Sequence, residues 1–352
     1  MSDIETAVRK KDIKSMTKDE LFEELVQLGQ PKFRLEQIYQ WMHVKLVNGF
    51  EEMTNLPKNL RSTLQENYSY TSLKMVRVQE SKLDGTKKFL FALEDGNLVE
   101  SVFMRYKHGN SVCITSQVGC KMGCRFCAST LDGWERNLTA AEMLDQIYSI
   151  SRITQERVSN VVVMGTGEPL DNYDNLVRFI HMLTDEFGLH ISQRNVTVST
   201  CGLTPMMRKL ADEKLQITLA LSLHATTDTK RRKLMPIADK YSLSELIPAC
   251  VYYFEQTGRR ITFEYSLVGG VNDTDEDARE LITIAAPLNC HVNLIPVNPI
   301  KERDYIRSSH AQVEAFKNKL EKNKINVTIR REMGQDIDGA CGQLRRRQLQ
   351  EV

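Results

Sequence analysis

Three cysteines, Cys120, Cys124 and Cys127, fall within Gly119-Cys-Lys-Met-Gly-Cys-Arg-Phe-Cys-Ala128. The pattern C-x3-C-x2-C brings three thiolates from one short loop, and soft thiolates select iron–sulfur clusters, zinc or Cu(I). A structural zinc site wants four closed ligands, usually two C-x2-C pairs, and the chain has no second pair. A 4Fe–4S cluster normally takes four cysteines. Three from one loop would leave one iron open to a ligand from outside the protein, and an open iron is a place for chemistry. Spacing alone leaves two alternatives standing: a zinc knuckle completed by a distant residue, and reduced cysteines packed in a core.

The elements that must position this loop follow from the hydrophobic pattern. The chain has 352 residues, 41% hydrophobic and 26% charged, enough for two or three domains or one large α/β barrel with additions. Residues 1–70 read as a small helical accessory module. Thr17-Lys-Asp-Glu20 is a capping box that opens an apolar-periodic run, and Phe33 to Val44 carries a second helix after Gly29 and Pro31. Residues 71–110 change period to that of strands, with Phe89–Leu93 and Leu98–Met104 flanking the turn Glu94-Asp-Gly-Asn97.

From residue 111 to 300 strand and helix alternate. Strands are predicted at Val112–Ser116, Asn160–Met164, Asn195–Ser199, Ile217–Leu223, Ile261–Leu267 and His291–Pro296, and capping boxes at Thr139/Glu142 and Ser242/Glu245 start two of the helices. Repeated βα units imply an α/β fold with a parallel sheet. Periodicity leaves open whether it is a partial (β/α)6 barrel or a doubly wound sheet. Residues 301–352 follow as a C-terminal helix, strand and loop.

In either fold, functional residues belong at the C-terminal ends of the strands. The cysteine loop follows the first strand, Met164-Gly-Thr-Gly-Glu-Pro169 the second, and Ser199-Thr-Cys-Gly202 the third. Ser222-Leu-His224 ends the fourth strand and Asn293-Leu-Ile-Pro-Val-Asn-Pro299 the sixth. Each has an ordinary explanation alone: glycines as turns, His224 as a satisfied half-buried imidazole, Asn298 as a turn former before Pro299. Their collection on one rim argues for a site.

Ser116-Gln-Val-Gly-Cys120, Arg136-Asn-Leu-Thr139, Gly165-Thr-Gly-Glu-Pro-Leu170, Leu219-Ala-Leu-Ser-Leu-His224, Gly270-Val-Asn-Asp273 and Asp336-Ile-Asp-Gly-Ala-Cys-Gly-Gln-Leu344 follow in order. Together with the cysteine loop they resemble the RlmN/Cfr-type RNA adenosine methyltransferases of the radical S-adenosylmethionine superfamily. The resemblance spans essentially the whole chain. It implies a partial (β/α)6 radical-SAM barrel with a small N-terminal helical domain and a β-strand extension. It also implies one 4Fe–4S cluster per chain on Cys120, Cys124 and Cys127, with S-adenosylmethionine on the open iron. Gly167, Glu168, Ser199, Ser222, Leu223, His224 and Asn298 match the family's contacts to that cofactor. Two molecules of it are consumed per methylation.

The same resemblance gives Cys341, in Gly339-Ala-Cys-Gly-Gln343, the role of S-methylcysteine intermediate. Cys113 becomes the resolving cysteine, forming a transient disulfide with Cys341, and Glu100 the proton acceptor. Read without the family, Cys113 is a core strand cysteine and Glu100 a solvent-facing strand residue. Cys201, Cys250 and Cys290 match no role and read as packing. Thr166 stands where the family commonly has Met.

The implied reaction is methylation at C2 of an adenosine in the peptidyl-transferase region of 23S rRNA and of adenosine 37 in tRNA. Glu168-Pro169 and His224-Ala225 resemble the C2 branch rather than the branch that methylates C8. Base flipping or unfolded RNA follows from the target, and an electron donor such as flavodoxin or ferredoxin is required. The chain is expected to be a cytoplasmic monomer without membrane contact, since it opens on Met1-Ser-Asp-Ile-Glu and holds no long apolar run. Formal charge is +1, so RNA binding would rest on local basic clusters: Arg9–Lys11, Lys230–Lys233, Arg330-Arg331 and Arg345–Arg347. Two rivals from other classes are a radical activase acting on protein or small molecules and a non-catalytic metal-bearing RNA-binding module.

Overall fold

The capping box at Thr17 forms as its sequence demands: the Thr17 hydroxyl accepts from the Glu20 amide and the Glu20 carboxylate accepts from the Thr17 amide. The computed structural model describes residues 10–298 and 304–351. Arg9 of the first basic run, Pro299 and the opening residues 301–303 of the C-terminal segment lie outside the described residues. Helices α1 (Lys18–Gln27), α2 (Phe33–His43) and α3 (Lys58–Asn67) each turn an apolar face inward. Leu21, Leu25, Ile38, Met42, Leu60 and Leu64 meet in a buried cluster of their own, separate from the main core. A short parallel pair, β1 (Lys11–Asp12) on β2 (Tyr68–Ser69), ties the start of this module to its end.

Strands β3 (Lys74–Glu80), β4 (Lys87–Ala92), β5 (Leu98–Tyr106) and β6 (Gly109–Cys113) form an antiparallel meander. The expected turn at Glu94–Asn97 joins β4 to β5. Next comes a short antiparallel pair that the sequence reading missed, β7 (Gln117–Gly119) with β8 (Trp134–Asn137). It pins both ends of the cysteine loop. The βα units follow: α4 (Ala140–Thr154), β9 (Val158–Val163), α5 (Tyr173–Thr184), β10 (Val196–Thr200), α6 (Thr204–Asp212), β11 (Thr218–Ser222), α7 (Asp228–Leu234), α8 (Leu243–Thr257), β12 (Ile261–Leu267), α9 (Asp275–Ala285) and β13 (Cys290–Pro296). The chain closes with α10 (His310–Lys322), β14 (Val327–Ile329) and α11 (Gln343–Glu351).

All these strands except the two short pairs belong to one ten-stranded sheet, in the order β14-β13-β12-β11-β10-β9-β6-β5-β4-β3. Strands β9 to β14 run parallel, and β6 joins them to the meander by pairing parallel with β9. The strand extension is therefore continuous with the parallel sheet. Side chains alternate across it. Val161, Val163, Val198, Leu219, Leu221 and Phe263 are buried in the main core, whereas Ser199, Ser222 and Asn293 between them are only half-buried. The helices cover the first face; the second, polar and more open, carries the site. Among the described residues no helix is long and apolar enough to cross a membrane.

Candidate active site

Register places three of the expected residues on one face of the meander. Lys88 pairs with Val102, Val102 with Cys113, and Leu90 with Glu100. Cross-strand partners share a face and period two keeps i and i+2 together. Lys88, Glu100 and Cys113 therefore project on the same side, opposite Phe89, Phe91, Val99 and Val112, which fill the core. Glu100 is 5% exposed, not solvent-facing as its sequence context suggested. What covers it is the C-terminal loop.

That loop brings Cys341 onto the sheet. The Cys341 thiol points to the Met164 carbonyl at 3.6 Å, just past the end of β9, and hydrogen-bonds the Cys113 thiol. Both are free thiols. The hydrogen bond from Cys113 and the nearby Lys88 charge push the Cys341 thiol down to about 6, while its role as donor and its burial push Cys113 up. A lowered thiol gives up its proton more readily, and the thiolate is the nucleophilic form. Gly342 next door has φ of +79°, and a Cβ there would lie 3.0 Å from the Ser129 backbone nitrogen. The Cys341 loop thus packs directly on the residues that follow Cys127.

The cysteine loop itself leaves β7 at Cys120, whose amide donates to Gly133 O at 2.8 Å. Its far side is tied to α7 by the Arg125 amide on Leu234 O at 2.9 Å. Burial and mutual repulsion push the thiols up, Cys120 to about 12 and Cys124 well above the usual thiol value. Three thiols, Cys120 buried and Cys124 and Cys127 half-buried, that would repel one another as anions are suited to a cationic group among them. No three His, Cys, Asp or Glu side chains among the described residues gather as ligands of one ion. Three thiols on one loop, close enough to sense each other's charge, are a donor set that suits an iron–sulfur cluster with one cysteine per iron.

Beside this loop stand Glu168, whose charge is felt by Cys120 and Cys124, and His224, two of the residues expected to contact the cofactor. The Glu168 carboxylate is buried, accepting from the amides of Leu170 at 3.0 Å and Cys201 at 2.7 Å. Burial raises its carboxyl, and no cation among the described residues pairs with it. Such a group fits a ligand ammonium. Gly167 has φ of +112°, and a Cβ there would sit 2.7 Å from that of Gln117, so only glycine lets this segment approach β7. Ser222 and Glu264 are register partners on the open face, and Ser199 lies on it two strands over from Glu264.

His224 is buried rather than half-buried, at φ of +55°. Its Nδ1 accepts from the Ser266 amide at 2.9 Å, and burial pushes the imidazole down to about 3. It is therefore neutral with its proton on Nε2, and its ring meets Phe126 of the cysteine loop edge-on at 4.8 Å. Leu223 departs from expectation in one respect. Its side chain is in the main core, which leaves only its backbone for a contact on the other face. Asn298 follows β13 and is exposed.

Three residues escaped the sequence reading. Gln117 is buried, accepting from the Glu168 amide at 2.8 Å and donating to Asn137 and Asp171. Lys88 is 0% exposed and bonded to the Cys341 loop. Arg231 corrects the basic run Lys230–Lys233: it too is 0% exposed, turned inward, and donates to Cys201 O at 2.7 Å. Lys230 pairs with Asp277 at 2.7 Å. Arg345–Arg347 are likewise engaged, with Asp132, Glu135, Asp338 and Glu351. Lys230, Arg231 and Arg345–Arg347 are therefore engaged within the protein, while Arg232 and Lys233 remain exposed. Cys201, Cys250 and Cys290 are buried packing thiols, as expected.

Comparison with known proteins agrees with this geometry. Residues 114–283 match the family model of the Radical SAM superfamily, and residues 11–69 that of the Ribosomal RNA large subunit methyltransferase N-terminal domain. The chain is 64% identical over 97% of its length, and 97% of the relative's, to the "Probable dual-specificity RNA methyltransferase RlmN" of Lachnospira eligens. It is 53% identical to the protein of that name from Clostridium novyi, over 96% of this chain and 98% of the other. A radical SAM methyltransferase of Sphaerobacter thermophilus superposes with a TM-score of 0.90 at 41% identity, over 95% of this chain and 98% of that one.

Proposed function

This chain belongs to the RlmN family of dual-specificity RNA methyltransferases, within the radical SAM superfamily, and from that premise we propose that it methylates adenosine C2 in 23S rRNA and at position 37 of tRNAs. The observation that carries the reading is the meeting of Cys341 with Cys113 on the rim that also presents the cysteine loop and the buried Glu168 carboxylate. A metal-bearing binding module or an activase has no use for that pair of thiols.

The residues divide the work. Cys120, Cys124 and Cys127 would hold the 4Fe–4S cluster, and Gly167, Glu168, Ser199, Ser222, His224, Asn298 and the Leu223 backbone would hold S-adenosylmethionine. Together these two groups supply a methyl group and, on one-electron reduction, radical chemistry. Cys341, as thiolate, takes the methyl by displacement and carries it to the base. Glu100 accepts the C2 proton. Cys113 then closes a disulfide with Cys341 and frees the product. The target base leaves its stack to reach this covered rim. An electron donor such as flavodoxin or ferredoxin, a monomeric chain and a cytoplasmic location complete the proposal.

Anaerobic turnover of rRNA and tRNA fragments with labelled S-adenosylmethionine, followed by nucleoside mass spectrometry, is the test. Labelled 2-methyladenosine is expected; 8-methyladenosine alone, or no methylated nucleoside, overturns the reading. Stoichiometric zinc without iron after reconstitution would sink the cluster assignment. Cys341→Ala abolishes product, and turnover that survives it favours the activase rival. Cys113→Ala accumulates a covalent protein–RNA adduct, and clean release from that variant removes the resolving role.

A further inference from the structure

Lys88 lies on β4 with its ammonium sealed from water, and among the described residues no side chain other than Glu100 pairs with it as an ion, at 3.1 Å. Its other two bonds go to backbone carbonyls of the C-terminal loop, Asp338 O at 2.6 Å and Ala340 O at 2.5 Å. Ala340 is the residue before Cys341. Glu100 grips the same loop from the other side of the cysteine: one carboxylate oxygen accepts from the Gly342 amide at 2.7 Å, the other from the Arg345 amide at 2.6 Å. Those amides open α11, where a carboxylate satisfies orphan donors and meets the positive end of the helix dipole. Lys88 and Glu100 thus clamp both flanks of Cys341, entirely through its backbone.

With the loop down, Glu100 has both oxygens engaged and is covered by the first turn of α11. No adenine C2 hydrogen reaches it in that arrangement. We propose that Lys88 is the positioning residue of a latch: with Glu100 it holds the Cys341 loop closed beside Cys113 for methyl loading, and Glu100 becomes open to the base only when the loop lifts. One carboxylate thereby orders two steps, since it cannot secure the loop and meet the RNA base at once. This inference rests on the methyl-carrier role of Cys341 and the proton-acceptor role of Glu100 proposed above.

The test is backbone hydrogen exchange in the cluster-loaded enzyme, read at Gly342 and Arg345, with mass spectrometry of S-methylation at Cys341 after addition of S-adenosylmethionine. Lys88→Met is expected to speed exchange at those two amides more than tenfold, to leave the strands of the sheet unchanged, and to slow Cys341 methylation more than tenfold. Lys88→Arg, which keeps the charge, recovers part of both. Adding a tRNA substrate to the wild type speeds exchange at the same amides. Wild-type protection in Lys88→Met overturns the latch, and undiminished protection with RNA bound overturns the release step. If Lys88→Met fails to fold, the double variant Lys88→Met/Glu100→Gln leaves no buried unpaired charge, and the same two amides are read there. A wild type that never acquires a methyl group on Cys341 refutes the carrier role, while the exchange result still decides the latch.

Discussion

Lys14 and Lys88 are both 0% exposed, and each faces a buried carboxylate, Asp145 at 2.9 Å and Glu100 at 3.1 Å. The difference lies in where the remaining bonds go. Asp145 sits inside α4 and accepts from the Leu73 amide at 2.7 Å, the Ser149 hydroxyl and Arg152. Lys14 bonds Thr71 O and stands over the Tyr70 ring at 4.2 Å. Nearby, Arg178 clasps Glu20, and the Ser15 hydroxyl accepts from the Ala141 amide. Every partner belongs to a regular element or an immediate flank of one, so the pair welds the helical module to the barrel. Around Lys88 and Glu100 the partners are backbone groups of a loop and the frayable first turn of a helix. One pairing chemistry gives a weld in one place and a latch in the other, decided by the rigidity of what is bonded.

The largest expected effect falls on the weld. Lys14→Met leaves Asp145 buried beside Arg152 alone, and breaking a buried pair in this way costs about 3–5 kcal/mol. Urea unfolding followed by Trp41 fluorescence, from within the module, measures it. Cys341 methylation per folded molecule stays at the wild-type rate. A cost below about 1 kcal/mol, the range of exposed pairs, would erase the distinction between the two lysines.

Acid probes the same weld. Burial by itself would raise the Asp145 carboxyl, but the charges of Lys14 and Arg152 and the Leu73 amide override it and hold it below its usual value. A carboxyl depressed in the fold contributes stability that is complete above its unfolded pKa of about 4 and is lost as pH falls below that. The Trp41 signal is therefore expected to change as pH drops below about 4. Asp145→Asn, which has no charge to lose, flattens that step. An unaltered acid transition in Asp145→Asn assigns it elsewhere.

Lys88→Met should behave in the opposite manner. Its loop lifts and water reaches Glu100, so the stranded charge is solvated instead of buried. Global stability then falls by under about 1 kcal/mol, as for an exposed pair, although local protection collapses. A loss as large as that of Lys14→Met would show that the loop is as fixed as the module, and the comparison would fail.

The two lysines also mark what the sequence disclosed. Thr17/Glu20, Thr139/Glu142 and Ser242/Glu245 name their helices because a capping box is local chemistry. The strand-end rim was legible because period-two runs and their glycine-rich ends are local too. Which loop covers a strand face is not local. Glu100 reads as solvent-facing, and Lys88 draws no reading at all, because the segment that buries them is the C-terminal loop, some 240 residues on (Gly342 lies 242 residues from Glu100). Arg231 was hidden by its neighbours, since a run of four basic residues reads as a surface while a helix turns one of them inward. Cys113 and Cys341 were paired by family resemblance alone; register and the docked loop supply the physical reason.

The smallest effect tests the latch without touching a charge. Gly342 has φ of +79° and its missing Cβ would lie 3.0 Å from Ser129 N, so Gly342→Ala strains only the docked loop. A left-handed alanine costs roughly 1 kcal/mol, and about 1 kcal/mol corresponds to roughly a fivefold change in an equilibrium. Exchange at Arg345 should quicken by about that factor and Cys341 methylation should slow by no more than it. Urea stability stays at the wild-type value, because no bond of the weld is involved. Slower exchange, or equal losses in urea, would mean that the loop is bound through Ser129 packing and not through the Lys88–Glu100 clamp.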